Sequence, residues 1–103
     1  MSDPNEKYIT FKAGGNEIRF RKSLFWDLPA GNLDLVKNKR LILERVFSRG
    51  NLEEFRTINR YYSRNEIRET VINIGSLDKK TLYFISNTYQ LKPSDFLCYK
   101  KNH

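Results

Sequence analysis

The sequence has very little metal-binding or redox chemistry: one cysteine, one histidine and no Asp-rich calcium loop among 103 residues. A lone Cys98 forms no disulfide within the chain, so we expect a reducing, cytoplasmic setting. A zinc site of Cys and His ligands within one chain is excluded, because His103 is the only histidine. No Gly-rich phosphate loop is present either. The sequence therefore predicts neither a metal nor a cofactor.

Long hydrophobic runs are also missing. Runs such as Leu41–Leu43 are far shorter than the roughly 20 apolar residues that cross a bilayer. The first residues lack the basic-then-apolar order of a secretory signal, so we expect no membrane association. A hydrophobic fraction of 39%, with 14% aromatic residues, is nevertheless too high for a disordered chain. These proportions predict one folded domain.

Groups suited to catalysis are scarce. A nucleophile would need a positioned base, and His103 lies at a chain end, where order is normally lost. The paired carboxylates Glu53 and Glu54 have the spacing of helix caps and helix ion pairs. We expect no enzymatic activity. A metal-free ribonuclease built from Arg, Lys and Tyr is a minor alternative, because such an enzyme leaves no motif.

The most informative feature is a segregated positive charge. Residues 1–34 hold five basic and five acidic side chains, whereas residues 35–103 hold fourteen and seven, giving the net charge of +7. Arginines in this second part fall in pairs four residues apart: Arg45/Arg49, Arg56/Arg60 and Arg64/Arg68. Four residues are about one helical turn, so each pair projects from one helix face. The pattern favours an anionic polymer as partner; the alternative is an ordinary solvated helix surface.

Hydrophobic periodicity predicts a mainly α fold of about four helices with an N-terminal β-hairpin. The runs Tyr8–Phe11 and Ile18–Arg21 flank a turn at Gly14-Gly15. We assign residues 1–22 to a hairpin arm and residues 23–103 to a helical domain. Because an isolated hairpin is marginally stable, we expect it to pack on the helices or to pair with a second copy in a homodimer.

Capping residues set the expected helix boundaries. Asn51, Ser63 and Asp78 are placed to begin helices, and Gly50 and Gly75 to end them, Gly50 in a left-handed conformation. The helix before Gly75 is expected to run through to the preceding residue, 74. If the Ser63 cap does not form, residues 51–74 become one helix with a continuous arginine stripe.

Large apolar residues predict the core. We expect Leu24, Phe25 and Trp26 to anchor the connection between hairpin and helices, and Leu52 to lie on the inner face of its helix. A loop at Pro29-Ala30-Gly31 and then another short helical turn, capped by Asn32, are expected to follow. The pair Tyr61-Tyr62 favours one ring in the core and its neighbour at the edge, with base stacking as the alternative.

A helix-turn-helix-like corner is predicted between residues 67 and 84. It has a helix, a turn at Gly75–Leu77 and a second helix starting at Asp78. Lysine suits phosphates or guanine edges, and asparagine suits adenine. Asp78 would lie near phosphates, which argues against DNA reading, and any αα-corner shares this pattern. The candidate nucleic-acid contacts are Arg56, Arg60, Arg64, Arg68, Lys79, Lys80, Tyr83 and Asn87.

Two functions remain open. The first is a non-enzymatic nucleic-acid-binding module, with DNA favoured over RNA. The second is a protein-interaction module whose basic helices cover an acidic partner and whose hairpin pairs strands with that partner or with a second copy.

The segments LFWDL (24–28), LILERVFSRGNLEEF (41–55), RYYSRNEIRE (60–69) and DFLCY (95–99) resemble a family of small uncharacterised bacterial proteins. The similarity extends from about Leu24 to Tyr99, and Ser63 stands where such proteins often have glycine. The resemblance implies an antitoxin-type partner of nucleotidyltransferase toxins from abortive-infection systems. It implies no catalytic residue, because the family is one of unknown function.

Overall fold

The computed structural model describes residues 8–13, 15–28 and 33–101. Two strands, β1 (Tyr8–Ala13) and β2 (Asn16–Arg21), form an antiparallel hairpin in which Tyr8 faces Arg21 across the ladder. Gly15 takes the left-handed conformation that the turn requires, with φ of 83°. The hairpin prediction is confirmed. Gly14, the other residue of the predicted turn, lies outside the described residues.

The described residues form five α-helices after the hairpin, so the predicted mainly α fold is confirmed. They are α1 (Lys39–Arg49), α2 (Leu52–Tyr61), α3 (Arg64–Val71), α4 (Lys79–Tyr89) and α5 (Leu97–Lys101). Short 3₁₀ helices span Lys22–Phe25 and Pro93–Asp95. Helix α1 is central, because it contacts α2, α3, α4 and the first 3₁₀ helix.

A complete capping box begins each of α2 and α3. Ser63 accepts a hydrogen bond from the Glu66 N–H at 3.1 Å, and the Glu66 carboxylate accepts one from the Ser63 N–H at 3.3 Å. Asn51 and Glu54 form the same reciprocal pair at the start of α2. The chain is extended at Ser63, so the continuous helix considered for residues 51–74 does not form. The cap satisfies N–H groups that a helix start would leave without partners.

Two helix ends differ from expectation. Gly50 ends α1 in an extended conformation, with φ of −74°, rather than a left-handed one. Glycine is needed there because a Cβ would lie 2.5 Å from the Val46 carbonyl oxygen. Helix α3 ends at Val71, three residues before the predicted end, and the left-handed helix end among the described residues is Gln90, after α4.

Hairpin and helices share one hydrophobic core. Ile9, Ile18 and Phe20 of the strands belong to the same buried cluster as Ile42 and Ile67 of the helices. The other residues of this cluster include Leu24, Phe25, Leu35, Leu43, Val46, Ile58, Tyr62, Val71, Ile74, Leu82, Ile85, Tyr89, Phe96 and Cys98. The hairpin is therefore packed on the helices rather than extended from them.

Two core predictions are wrong. Trp26 is 72% exposed and Leu52 is 62% exposed, although Leu24 and Phe25 are buried as expected. Trp26 follows the end of the 3₁₀ helix, where Leu24 and Phe25 already fill the space facing α1, so the third large residue turns outward. Leu52 is the first residue of α2 and precedes the turn that packs on the core. The predicted Pro29–Asn32 loop lies outside the described residues.

Candidate nucleic-acid interface

One face of α4 gathers three of the predicted contact residues. Lys80, Tyr83 and Asn87 are spaced by three and four residues and are all exposed, as is Phe84 beside them. The helix begins where predicted, because the Asp78 carboxylate accepts hydrogen bonds from the Thr81 N–H and hydroxyl. These bonds hold the pKa of Asp78 below its ordinary value. Lys79, also exposed, is the first residue of the helix.

The connection into α4 is longer than that of a DNA-binding helix-turn-helix. Residues Ile72 to Asp78 link α3 to α4, whereas the motif uses a turn of about three or four residues. The Ile72 carbonyl also accepts a hydrogen bond from the Leu97 N–H at 2.8 Å, which ties α5 to this connection. The corner therefore has the helix order of a helix-turn-helix but not its tight turn. The exposed face of α4 is not positioned by a helix-turn-helix.

Helix α2 lies beside this face. The Phe55 ring packs 5.9 Å from the Phe84 ring, and both contact Phe47 of α1. Arg56, next to Phe55, is exposed on the outward side of α2. Arg60, one turn further, lines a cleft between α2 and the hairpin instead. Two arginines that the sequence places on one helix stripe therefore serve different surfaces.

Arg64 and Arg68 of α3 also differ. The Arg64 guanidinium lies 5.5 Å from the centre of the Tyr89 ring and donates a hydrogen bond to the Thr88 carbonyl at 3.4 Å. It therefore lies at the carboxyl end of α4. Arg68 is partly buried, and its Nε atom is buried without a hydrogen-bond partner. Arg64 is exposed at the carboxyl end of α4, whereas Arg68 has little exposed surface to offer.

Few of the predicted cations are neutralised. Within the part of the chain that the structure describes, Arg60 is the only one of the six to form an ion pair, with the Glu53 carboxylate at 3.8 Å. Both side chains are more than 70% exposed, so this pair contributes little and is readily exchanged. The remaining predicted cations are Arg56, Arg64, Arg68, Lys79 and Lys80.

Arg45 departs from the predicted arginine pattern. Its guanidinium donates two hydrogen bonds to the Asp27 carboxylate, at 2.7 and 2.8 Å, and a third to the Leu24 carbonyl. These bonds lower the pKa of Asp27, and Arg45 is only 14% exposed. Arg49, one turn along α1, remains exposed. The expectation that every arginine pair projects into solvent is therefore wrong for Arg45/Arg49.

The tyrosines near the arginines mostly support the core. Tyr62 is buried and donates its hydroxyl hydrogen bond to the Leu35 carbonyl, and burial raises the pKa of its phenol. Tyr61 is half-buried, with its ring 4.7 Å from that of Tyr62. The predicted division between core and edge is confirmed. Tyr89 is buried as well, and its hydroxyl donates to Asn59 at 2.7 Å.

A cleft between the hairpin and α2 was not predicted. Its volume is about 770 Å³, and its walls carry Tyr8 and Arg19 from the strands and Arg60 and Tyr61 from α2. Long-range pairing forms it, since Glu54 of α2 binds Arg21 of β2. The alternation of polar residues along both strands marks one face of the hairpin as exposed, but no local pattern shows that α2 lies against it.

The described residues offer little other chemistry. They contain no group of three or more His, Cys, Asp or Glu side chains that could hold a metal ion. Cys98 is buried, with 3% exposure, and His103 lies outside the described residues. None of the described helices combines the length and the apolar character needed to cross a membrane.

Part of the chain matches a known protein family. The model of a family described as a family of unknown function, DUF6922, matches residues 20–71, just over half of the chain. The matched segment runs from β2 to the end of α3, and so includes the last residues of the hairpin and omits α4. The search of curated proteins and the search of solved structures gave no match.

Proposed function

Because the chain belongs to DUF6922, whose description assigns no activity, we propose a function from its geometry: a non-enzymatic nucleic-acid-binding module. DNA is favoured over RNA as the ligand, in a reducing, cytoplasmic setting. Lys79, Lys80, Arg56 and Arg64 bind phosphates, and Tyr83 and Asn87 contact bases.

The observation that carries the proposal is that cations without an ion pair among the described residues occur together with exposed side chains suited to base contacts. Lys80, Tyr83 and Asn87 share one face of α4; Arg56 follows Phe55, whose ring packs against the exposed Phe84, and Arg64 lies at the carboxyl end of α4. Cations that form no ion pair are free to replace the counterions of a phosphate backbone. An asparagine amide and a tyrosine ring beside them supply hydrogen bonding and stacking to bases.

The long connection before α4 changes the expected mode of binding. Without the tight turn of a helix-turn-helix, insertion of the start of α4 into a major groove has less support, and Asp78 at that start would repel phosphates. Contact along the exposed side of the helix agrees better with the positions of Tyr83 and Asn87. Sequence-independent phosphate contacts then provide most of the affinity.

Fluorescence anisotropy with labelled duplex DNA, single-stranded DNA and RNA tests the proposal. We expect binding that weakens steeply between about 50 and 200 mM salt, with a log–log slope near −0.9 for each phosphate neutralised on a duplex. The double substitution Arg56→Gln with Lys80→Gln should reduce the magnitude of that slope by about 2. The matched control is Lys22→Gln with Lys37→Gln, which removes the same charge from exposed lysines on other elements. No binding to any of the three probes at the lowest salt refutes the proposal.

Exposed apolar side chains support a second candidate, a protein-interaction module for an acidic partner. Leu52 is 62% exposed and Phe84 is 47% exposed; Phe84 packs against the Phe55 ring, and Leu52 precedes Phe55 by three residues on α2. Such side chains often anchor protein contacts. The antitoxin role implied by the bacterial resemblance belongs here or with an autoregulator that binds DNA. Co-purification with an acidic toxin, lost in Leu52→Ser while nucleic-acid affinity is retained, would favour it.

A further inference from the structure

The cleft between the hairpin and α2 is separate from the α4 face. On the hairpin side, Tyr8, Glu17 and Arg19 stand on the exposed face of the sheet, because alternate residues of each strand point outward. On the helix side, Glu53, Thr57, Arg60 and Tyr61 follow at spacings of four, three and one, which places them on one flank of α2. The junction between sheet and helix is therefore concave and lined by polar and aromatic groups.

The hydrogen bonding between β2 and α2 fixes the floor of this cleft. The Arg21 N–H and guanidinium donate to the Glu54 carboxylate at 2.9 to 3.1 Å, and the guanidinium also reaches the Arg49 carbonyl. The Arg21 guanidinium and the Glu54 carboxylate are thus bound to each other. Because Glu54 is buried, the two walls are held at a fixed separation and the cleft exists before any ligand binds.

The remaining charges of the cleft balance. Besides Arg21 and Glu54, the lining carries two guanidinium groups, Arg19 and Arg60, and two carboxylates, Glu17 and Glu53, of which Arg60 and Glu53 form the exposed 3.8 Å ion pair. A multiply charged phosphate compound would meet repulsion as well as attraction there. A neutral ligand with both donors and acceptors is the better match, since carboxylates accept from amino groups and guanidinium groups donate to carbonyl oxygens.

The aromatic rings further limit the class of ligand that the cleft can bind. Tyr8 is 37% exposed, and the Arg19 guanidinium lies 5.1 Å from the centre of its ring. Tyr61 is half-buried and supported edge-on by Tyr62. Rings on both walls favour a flat, polarisable ligand. The volume of about 770 Å³ lies within the range of roughly 300 to 1,000 Å³ typical of small-molecule sites.

We infer that the cleft accepts one unpaired nucleobase of a bound nucleic-acid strand. This inference rests on the proposed function and adds a preference for unpaired bases. Tyr8 and Tyr61 stack on the base, and the balanced carboxylates and arginines bind its polar edge. Arg60 lies at the junction of the cleft with the outward side of α2, where Arg56 follows one turn away, so the sugar-phosphate chain passes from the cleft across α2 towards α4.

Two oligomers of equal length and charge test this inference. One is an oligothymidylate, and the other carries the same phosphates with every base replaced by an abasic tetrahydrofuran. We expect the intact oligomer to bind about 10-fold more tightly, as loss of one base–aromatic stack implies. The affinity of each oligomer should fall with salt, but their ratio should not, because inserting a neutral base releases no counterion.

Two matched substitutions show whether the affinity ratio of the two oligomers arises in the cleft or on the α4 face. Tyr8→Leu should remove most of the ratio, because the base in the cleft contributes most of it, whereas Tyr83→Leu should remove only the smaller part due to its own base contact on the α4 face; both rings are partly exposed, so circular dichroism should confirm folding. Equal binding of the two oligomers by the unaltered protein, or a ratio lost in Tyr83→Leu and kept in Tyr8→Leu, overturns the inference and leaves the proposed function standing. Failure of both oligomers and duplex DNA to bind overturns both.

Discussion

Glu54 of α2 accepts three hydrogen bonds from Arg21 of β2, 33 residues earlier in the chain. A fourth comes from the Asn51 N–H at 2.9 Å, which completes the cap of α2. Burial on its own would raise the pKa of Glu54, but the bonds from Arg21 and Asn51 outweigh it and hold the pKa below its ordinary value. A single carboxylate therefore starts a helix and attaches the hairpin to it.

This pair makes stability depend on pH. An unfolded glutamate titrates near a pKa of about 4.3, and the folded pKa of Glu54 is lower. The stabilisation is therefore complete above the unfolded pKa and is lost as the pH falls through the folded one. We expect Glu54→Gln to lower the free energy of unfolding by about 2 kcal/mol at about pH 7, with a smaller difference at about pH 3.

Urea unfolding at both pH values measures that difference. The control is Glu53→Gln, because Glu53 is exposed and its pair with Arg60 spans 3.8 Å; its effect should stay within about 0.5 kcal/mol. A Glu54→Gln deficit that is the same at both pH values would contradict the assignment of the stabilisation to the ionised carboxylate.

Substitution by alanine should destabilise the protein at both Gly50 and Gly15, but for different reasons. A Cβ on Gly50 would meet the Val46 backbone at 2.5 Å, whereas one on Gly15 would meet nothing within 4 Å but would face a φ of 83°. We expect Gly50→Ala to cost about 3 kcal/mol through overpacking and Gly15→Ala about 1 kcal/mol through backbone strain. Thermal unfolding measures both. Asparagine tolerates the left-handed region, so Gly15→Asn should regain stability relative to Gly15→Ala, while Gly50→Asn should be no better than Gly50→Ala.

Substitutions of Arg45 and Arg56 should affect different properties, folding stability and nucleic-acid binding respectively. Arg45 is held by Asp27 and the Leu24 carbonyl, so Arg45→Gln should lower the urea midpoint and leave the salt slope of nucleic-acid binding unchanged. Arg56 is exposed and forms no ion pair among the described residues, so Arg56→Gln should keep the midpoint and reduce the slope by about 0.9. Both variants lose one positive charge. Equal slopes for the two would indicate that net charge, rather than position, controls binding.

Trp26 and Phe25 should behave as an exposed and a buried neighbour. Phe25 is 1% exposed and Trp26 is 72% exposed, so Phe25→Ala should cost about 3 to 5 kcal/mol and Trp26→Ala less than about 0.5 kcal/mol. The fluorescence of Trp26, the only tryptophan, should be quenched by acrylamide almost as strongly in the folded as in the unfolded chain. Strong protection in the folded state would show that Trp26 is covered.

Much of the candidate site could be predicted from local sequence. Lys80, Tyr83 and Asn87 share a face because the helical repeat dictates it, and the Asp78 cap fixes where that helix starts. The cleft could not be predicted, because it requires the hairpin and α2 to meet. No local pattern shows that Glu54 faces Arg21 rather than solvent.

The sequence by itself determined most elements of this protein: the hairpin, helices α1 to α4, and the break at Ser63. Periodicity and capping are short-range effects, settled within a few residues of each position. Only the tertiary structure decided which charges are free. Asp27, 18 residues earlier in the chain, forms an ion pair with Arg45. Arg60 lines the cleft beside the hairpin, whereas Arg56 does not. Such pairings depend on which elements pack side by side, and that arrangement is set by burial of the common core rather than by any one segment.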